Sequence, residues 1–244
     1  MSWAAHDLEP YLARLKTGGR VSISLPFCLL GSYMPDLFTK WAVYGFGFDT
    51  HDPIVADPIR FHRGWPGAGF MHTPFAMLTL ALLLYLATRQ RLWAGSFLLG
   101  GMMHVLSDTL DTVGVMLFFP FTTRHVEFGA WAYVGEAGRR IDAVAYNLSL
   151  GGLWDLFWVV SLVLAIGGLS TRSFRERVVP SDPLWPKVID RFGMTAALTL
   201  FRTSAFFGIC APLAWMIWAL YVNDFHPAFD WRWGGPGWAP PLHT

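Results

Sequence analysis

The chain reads as an all-α, polytopic membrane helix bundle of about five spans, the first one kinked, preceded by an amphipathic helix on the membrane surface. Three observations predict this. Hydrophobic residues make up 54% of the sequence and charged residues 14%, where soluble domains carry about 25% charged residues, and mean hydropathy is +0.39. Apolar runs near the ~20 residues that cross ~30 Å of hydrocarbon recur along the chain. Trp occurs 13 times, and Trp favours the membrane–water interface. A net charge of +1 argues against an electrostatic partner such as nucleic acid.

Residues 1–20 form the surface helix. Trp3, Leu8, Tyr11, Leu12 and Leu15 make an apolar stripe at helical spacing, and Gly18-Gly19 stops it. His6, Asp7, Glu9, Arg14 and Lys16 interrupt any apolar h-region, so no classical signal peptide is expected. The bundle, residues 21–222, takes its spans from runs at about 21–38, 69–88, 93–119, 149–169 and 203–222. Pro26 and Pro35 kink the first. Cys28 and Cys210 lie in apolar runs and read as buried thiols rather than a disulfide. Residues 223–244 form a tail with Trp231, Trp233 and Trp238 among glycines and prolines, expected outside the cytoplasm.

Positive charge orients the bundle. Arg14, Lys16 and Arg20, then Arg89 and Arg91, then Arg172, Arg175, Arg177, Lys187 and Arg191 fall on one side of a five-span alternation, which the positive-inside rule makes cytoplasmic. Lys40, Arg60, Arg63, Arg124, Arg139 and Arg140 lie opposite. The N-terminus is expected inside and the C-terminus outside.

Ionisable groups within spans are costly, and they mark a pathway, a pair or an ion site. His104, Asp108 and Asp111, spaced by four and three, are predicted on one face of the third span. Asp36 ends the first span, His72 starts the second and Asp155 lies about two turns into the fourth, so all six groups fall in the outer half. The depths differ: at 1.5 Å per residue His104 is about 16 Å from the inner end of its span, whereas His72 is about 5 Å below the outer surface. Structural readings stand beside the metal reading. Asp36 and His72 could be solvated helix ends, His104 and Asp108 a simple pair, and Asp111 and Asp155 structural or water-facing groups. His51, His62, His125 and His226 read as solvated loop histidines.

Three blocks resemble the bacterial inner-membrane proteins grouped as membrane-bound metal-dependent hydrolases. Gly31-Ser32-Tyr33-Met34-Pro35-Asp36 is similar to that family's Pro-Asp element. Arg63-Gly64, followed by His72-Thr73-Pro74, is similar to its Arg-Gly…Thr-His-Ser element. His104-Val105-Leu106-Ser107-Asp108 with Gly114 and Pro120-Phe121 is similar to its His–x3–Asp, Gly and Pro-Phe pattern. The blocks cover about residues 31–121. Three departures stand out. An early Thr-His pair on an apolar helix is absent, a Gly- and Pro-rich insertion separates Arg63-Gly64 from His72, and Asp111 stands where a threonine is usual.

The resemblance implies a divalent metal and hydrolysis. Asp36, His72, His104 and Asp108 would supply two nitrogens and two carboxylates, a set that suits Zn²⁺ best, also Mn²⁺ or Fe²⁺, and Ca²⁺ poorly. Asp111 or Asp155 would serve as general base or hold a ligand histidine in its tautomer. A site in the outer half of the inner membrane would act on a lipid or envelope ester or phosphoester. No Gly-x-Ser-x-Gly, P-loop or Cys-x-x-Cys competes. The rival reading is a non-catalytic membrane subunit that docks a protein partner through the Trp-rich tail or through Trp154, Trp158, Trp215 and Trp218. A transporter would need an internal repeat, and none is visible.

Overall fold

The computed structural model describes residue 11 and residues 22–37, 58–111, 113–130, 150–166 and 170–222. The surface helix expected over 1–20, apart from Tyr11, and the tail expected over 223–244 lie outside the described residues. Those residues are mostly helical and contain no strand, in agreement with the all-α expectation. The helices are α1 (Leu25–Leu37), α2 (Pro58–Arg63), α3 (Pro74–Thr88), α4 (Arg91–Asp108), α5 (Leu150–Ile166) and α6 (Leu184–Val222). A 3-10 turn, Gly69–His72, leads into α3, and three short helical turns between Thr171 and Ser181 lead into α6.

Local chemistry sets these boundaries. Thr73 caps α3 by accepting the Ala76 N–H at 3.2 Å, and Pro74 occupies the first helical position, where its missing N–H costs nothing. Arg89, in the left-handed region (φ 54°), closes α3 through its N–H to the Tyr85 carbonyl at 2.7 Å. Gln90 then starts α4, so α3 and α4 form a tight helical hairpin. Asp182 precedes α6: its Oδ1 accepts the Leu184 N–H at 2.9 Å, while Oδ2 takes the Ser24 hydroxyl and so ties α6 to the entry of α1. α6 bends at Gly193 (φ 84°, ψ 167°).

α1 is the shared element. On one side Leu25, Cys28 and Leu29 join Val159 of α5, Phe174, and Trp185 and Phe201 of α6 in a buried cluster. The Trp185 ring lies 5.3 Å from Phe174 and 5.7 Å from Phe201, centroid to centroid. On the other side Met34 packs on a cluster of Ala76, Met77, Val105 and Val115. α1 and α4 meet backbone to backbone. A Cβ on Gly31 would strike the Phe97 carbonyl, and one on Gly100 would strike the Cys28 carbonyl. Small residues permit such close crossings between helices. This crossing brings Asp36, near the end of α1, beside His104 on α4. Gly31→Ala and Gly100→Ala are each expected to cost about 1–3 kcal/mol, because backbone atoms cannot swing aside, and to loosen the site. Chemical denaturation in detergent measures the cost, and a loss below about 0.5 kcal/mol for both would contradict the close crossing.

The expected third span is corrected. A helix over 93–119 was expected, but α4 ends at Asp108. Asp111 Oδ1 accepts the N–H groups of Val113 (2.9 Å) and Gly114 (2.7 Å), offering the backbone an alternative to the helix. Gly114 (φ 66°) packs under the Val126 carbonyl, where a side chain would not fit. Val115 and Val126 form an antiparallel bridge, and the N–H groups of Phe128 and Ala130 bond to the carbonyls of Thr109 (2.8 Å) and Leu110 (2.6 Å). Residues 126–130 thus strap the turn that follows α4. Among the described residues no helix is long and apolar enough to cross a membrane. α3 has 15 residues and α5 has 17, about 22–26 Å at 1.5 Å per residue.

Candidate metal centre

The chain brings three histidines and two aspartates together from four segments. Asp36 follows Pro35 near the end of α1. His62 and Arg63 end α2. The chain then folds back at once: the Ala68 N–H bonds to the Phe61 carbonyl at 2.7 Å, and Gly69 packs so closely on Arg63 that a Cβ there would strike its backbone. The 3-10 turn therefore starts against the end of α2 and delivers His72 beside His62, with ring centroids 4.4 Å apart and planes at 79°. The Gly- and Pro-rich insertion between the two sequence blocks is this return. His104 and Asp108 come from one face of α4, four residues apart, with Nε2 and Oδ2 separated by 3.0 Å.

All five side chains are buried. Asp36 Oδ1 lies 3.2 Å from His72 Nε2, 3.3 Å from His62 Nε2 and 3.8 Å from His104 Nε2. Asp108 Oδ2 lies 4.0 Å from His72 Nε2. Three imidazoles therefore turn the same ring nitrogen toward one carboxylate oxygen. Two atoms bound to one ion at ~2.0–2.2 Å and separated by a tetrahedral angle would be about 3.4 Å apart. The observed separations are of that size, and imidazole plus carboxylate is the donor chemistry of Zn²⁺, Mn²⁺ and Fe²⁺ sites. The residues fit a divalent transition-metal ion. Their donor atoms sort into two overlapping groups, Asp36–His62–His72 and His72–His104–Asp108, each with all atoms within 4.8 Å of one another.

Arg63 stands behind this cluster. It is 1% exposed, and its Nη2 lies 2.8 Å from Asp108 Oδ1 and 3.4 Å from Asp111 Oδ2. Its Nη1 donates to the Gly114 carbonyl at 3.3 Å, and its own carbonyl oxygen lies 3.0 Å from His125 Nε2. Burial, aided by the Arg63 charge, lowers the His125 pKa against the opposing pull of that backbone contact. Asp108 is thereby divided: one oxygen binds the guanidinium and the other faces the histidines.

The structure brings Asp36, His72, His104 and Asp108 together, closing the gap in depth that the sequence left between His72 and His104, because His72 sits on the turn before α3 rather than within it. Asp111 is near them by a different route from the one expected. It does not share the His104–Asp108 helix face but follows the end of α4, joined to the cluster through Arg63. Asp155 is buried on α5, which packs against α6, and belongs to neither His/Asp group. His62, read from sequence as a solvated loop histidine, is fully buried and is a member of the cluster. Its signal was its place directly before Arg63-Gly64. Arg63 likewise leaves the set of outer-side surface charges, since it is buried against carboxylates.

No curated protein and no solved structure matches the chain. The family model of the YdjM inner membrane protein matches residues 9–174. The matched stretch contains all five clustered side chains, Arg63 and Asp111, and it accords with the resemblance carried by the three sequence blocks. The chain belongs to the YdjM family of bacterial inner membrane proteins.

Proposed function

We propose that this chain is a metal-dependent hydrolase of the inner membrane, acting on an ester or phosphoester of a lipid or envelope molecule. One observation carries the reading: the convergence of His62, His72 and His104 on Asp36 Oδ1, with Asp108 beside them, in a buried site. Asp36, His62, His72, His104 and Asp108 would hold the ion, with Zn²⁺ favoured over Mn²⁺ or Fe²⁺ by the three nitrogens. Such an ion acts as a Lewis acid and lowers the pKa of bound water towards ~7. The protein's own contributions follow from the geometry. The histidines present Nε2. Arg63 occupies Asp108 Oδ1 and so aims Oδ2 at them. Asp111 holds Arg63 and the turn of Val113 and Gly114 and takes a positioning role, in place of the general base or histidine-orienting partner that the resemblance implied for Asp111 or Asp155. Asp155 has no step in this proposal. Burial of the cluster strengthens every charge interaction within it.

The membrane setting supports the substrate class. Phe75, Leu78, Leu82, Leu83 and Leu86 of α3 are exposed, an apolar surface suited to acyl chains. We retain the topology read from positive charge, with the N-terminus cytoplasmic, the C-terminus outside and the site in the outer half. Purified protein supplied with Zn²⁺ or Mn²⁺ is expected to release phosphate or fatty acid from a panel of phospholipids and lipid phosphates, and to stop in EDTA. No turnover of any ester in the metal-loaded protein would contradict the hydrolase reading. It would favour the second one, a non-catalytic subunit whose partner covers the exposed Trp154 and Phe157 of α5 and Phe206 and Phe207 of α6, and which copurifies with a larger complex.

A further inference from the structure

The metal cluster lies where α1 and α4 end and α3 begins. At the opposite end of the bundle the starts of α1, α4 and α6 meet. Ser24, at the entry of α1, donates its N–H to Ser96 Oγ at 2.8 Å and its hydroxyl to Asp182 Oδ2. Phe27 of α1 stacks on Trp93 of α4, with ring centroids 4.9 Å apart and planes at 13°. Lys187, in the first turn of α6, sets its Nζ over the same Trp93 ring, 5.0 Å from the centroid. Trp93 and His104 are about 16 Å apart along α4 at 1.5 Å per residue, so this end is separate from the metal cluster.

Two donors stand side by side here. Trp93 Nε1 is buried and has no hydrogen-bond partner among the described residues, although a buried indole N–H ordinarily finds an acceptor. Lys187, its neighbour, has only N–H groups to offer. The indoles of Trp158 and Trp185 are also without an acceptor among the described residues, but their rings pack among other aromatic side chains, whereas Trp93 carries an ammonium against its face. The surroundings are cationic. Arg89 and Arg91 flank the α3–α4 hairpin, Arg175 and Arg177 lie on the turns before α6, and Arg191 follows Lys187; all are exposed. Arg172 is paired with Glu176 at 2.9 Å. The other carboxylates described at this end are Asp190, which is exposed, and Asp182, which is buried and bonded to Ser24 and to the Leu184 N–H. Exposed Leu82 and Leu86, on the last turns of α3, place an apolar surface directly beside these charges.

We infer that this end of the bundle binds the headgroup of an anionic phospholipid, its phosphate accepting from the Lys187 ammonium and the Trp93 indole N–H. A phosphate supplies the acceptor that both donors need, and a lysine holds it as a point charge. The surrounding arginines favour a headgroup with net negative charge, as basic pockets at the ends of membrane helices do. The lipid source follows from the apolar surface of α3 beside the cations, which suits a ligand with acyl chains directly below its charge, and from the family's place in the inner membrane. The inference is independent of the metal reading, since no residue is shared between the two sites.

The test is lipid binding to the full-length chain in detergent, read by native mass spectrometry, with dioleoyl phosphatidylglycerol or dioleoyl phosphatidylcholine added in turn. The first phosphatidylglycerol is expected to bind at least ~10-fold more tightly than phosphatidylcholine, whose choline brings a cation of its own. Lys187→Gln is expected to weaken phosphatidylglycerol binding about 10-fold. Trp93→Phe keeps a ring between Phe27 and Lys187 but removes the donor, and is expected to weaken it about fivefold. Arg172→Gln removes the same charge as Lys187→Gln from an exposed ion pair, and is expected to change it by less than about twofold. Thermal melting without added lipid checks that each variant folds; Lys187 and Arg172 are both exposed, so their comparison stands even if Trp93→Phe is unstable. Equal binding of the two lipids, or equal losses in Lys187→Gln and Arg172→Gln, would overturn the inference. So would displacement of phosphatidylglycerol by an equal concentration of inorganic phosphate, which would make free phosphate the ligand in place of a lipid.

Discussion

An Arg63→Ala chain, measured without metal in EDTA, is expected to lose about 3–5 kcal/mol of stability, the cost of breaking a buried ion pair by removing one partner. Arg63 is 1% exposed and lies against both Asp108 and Asp111. Truncation would strand two buried carboxylates and free the Gly114 carbonyl. The loss should be local in origin, because the Arg63 fork ties the end of α2 to the turn after α4. Arg63→Lys keeps the charge but not the planar fork that reaches two carboxylates and a carbonyl at once, so it should recover only part of the loss. Chemical denaturation in detergent measures both. A change within about 0.5 kcal/mol for Arg63→Ala would show that the guanidinium is replaceable and would remove the positioning role given to it.

His62→Ala is expected to weaken metal binding and hydrolysis by more than the ~10–100-fold typical of losing an outer partner of a metal ligand. Its ring nitrogen is 3.3 Å from Asp36 Oδ1 and it stands edge-on to His72. His125→Ala is the control. That histidine contacts the Arg63 carbonyl instead of the cluster, so its removal should leave metal content unchanged while affecting the strap over residues 126–130. Equal metal affinity in wild type and His62→Ala would confine the site to the donors already visible in the sequence. Equal losses in the two variants would point to general loosening of the fold.

What was legible in the sequence followed from regular spacing and from the cost of burying charge. His104 and Asp108 could be paired because four residues is one helical turn, and their apolar setting made them conspicuous. Asp36 and His72 could be grouped with them because the span alternation put all four in one half of the membrane. His62 was not legible in this way. It lies on a six-residue helix between Pro- and Gly-rich stretches, where no periodicity shows which face is buried, and only the backbone return at Ala68 and Gly69 turns it inward. Asp111 was misplaced for a related reason. The apolar run continues past Asp108, so hydropathy extends the helix, whereas Asp111's own bonds to Val113 and Gly114 end it. Two residues interleaved along the crossing of α1 and α4, Gly31 and Gly100, were simply small residues in apolar runs. Their importance appears only when the opposing backbone is known.

The central claim is that this buried cluster of three histidines and two aspartates is a metal site. Elemental analysis of the full-length protein purified in mild detergent, beside a His104→Ala, Asp108→Ala variant of equal folded yield, tests it most directly. At least one zinc, manganese or iron per chain in the wild type, lost in the variant, is the predicted result. No transition metal in the wild type after dialysis against these ions, or the same content in the variant, would contradict it and leave a buried His–Asp–Arg network holding α1, α2 and α4 together.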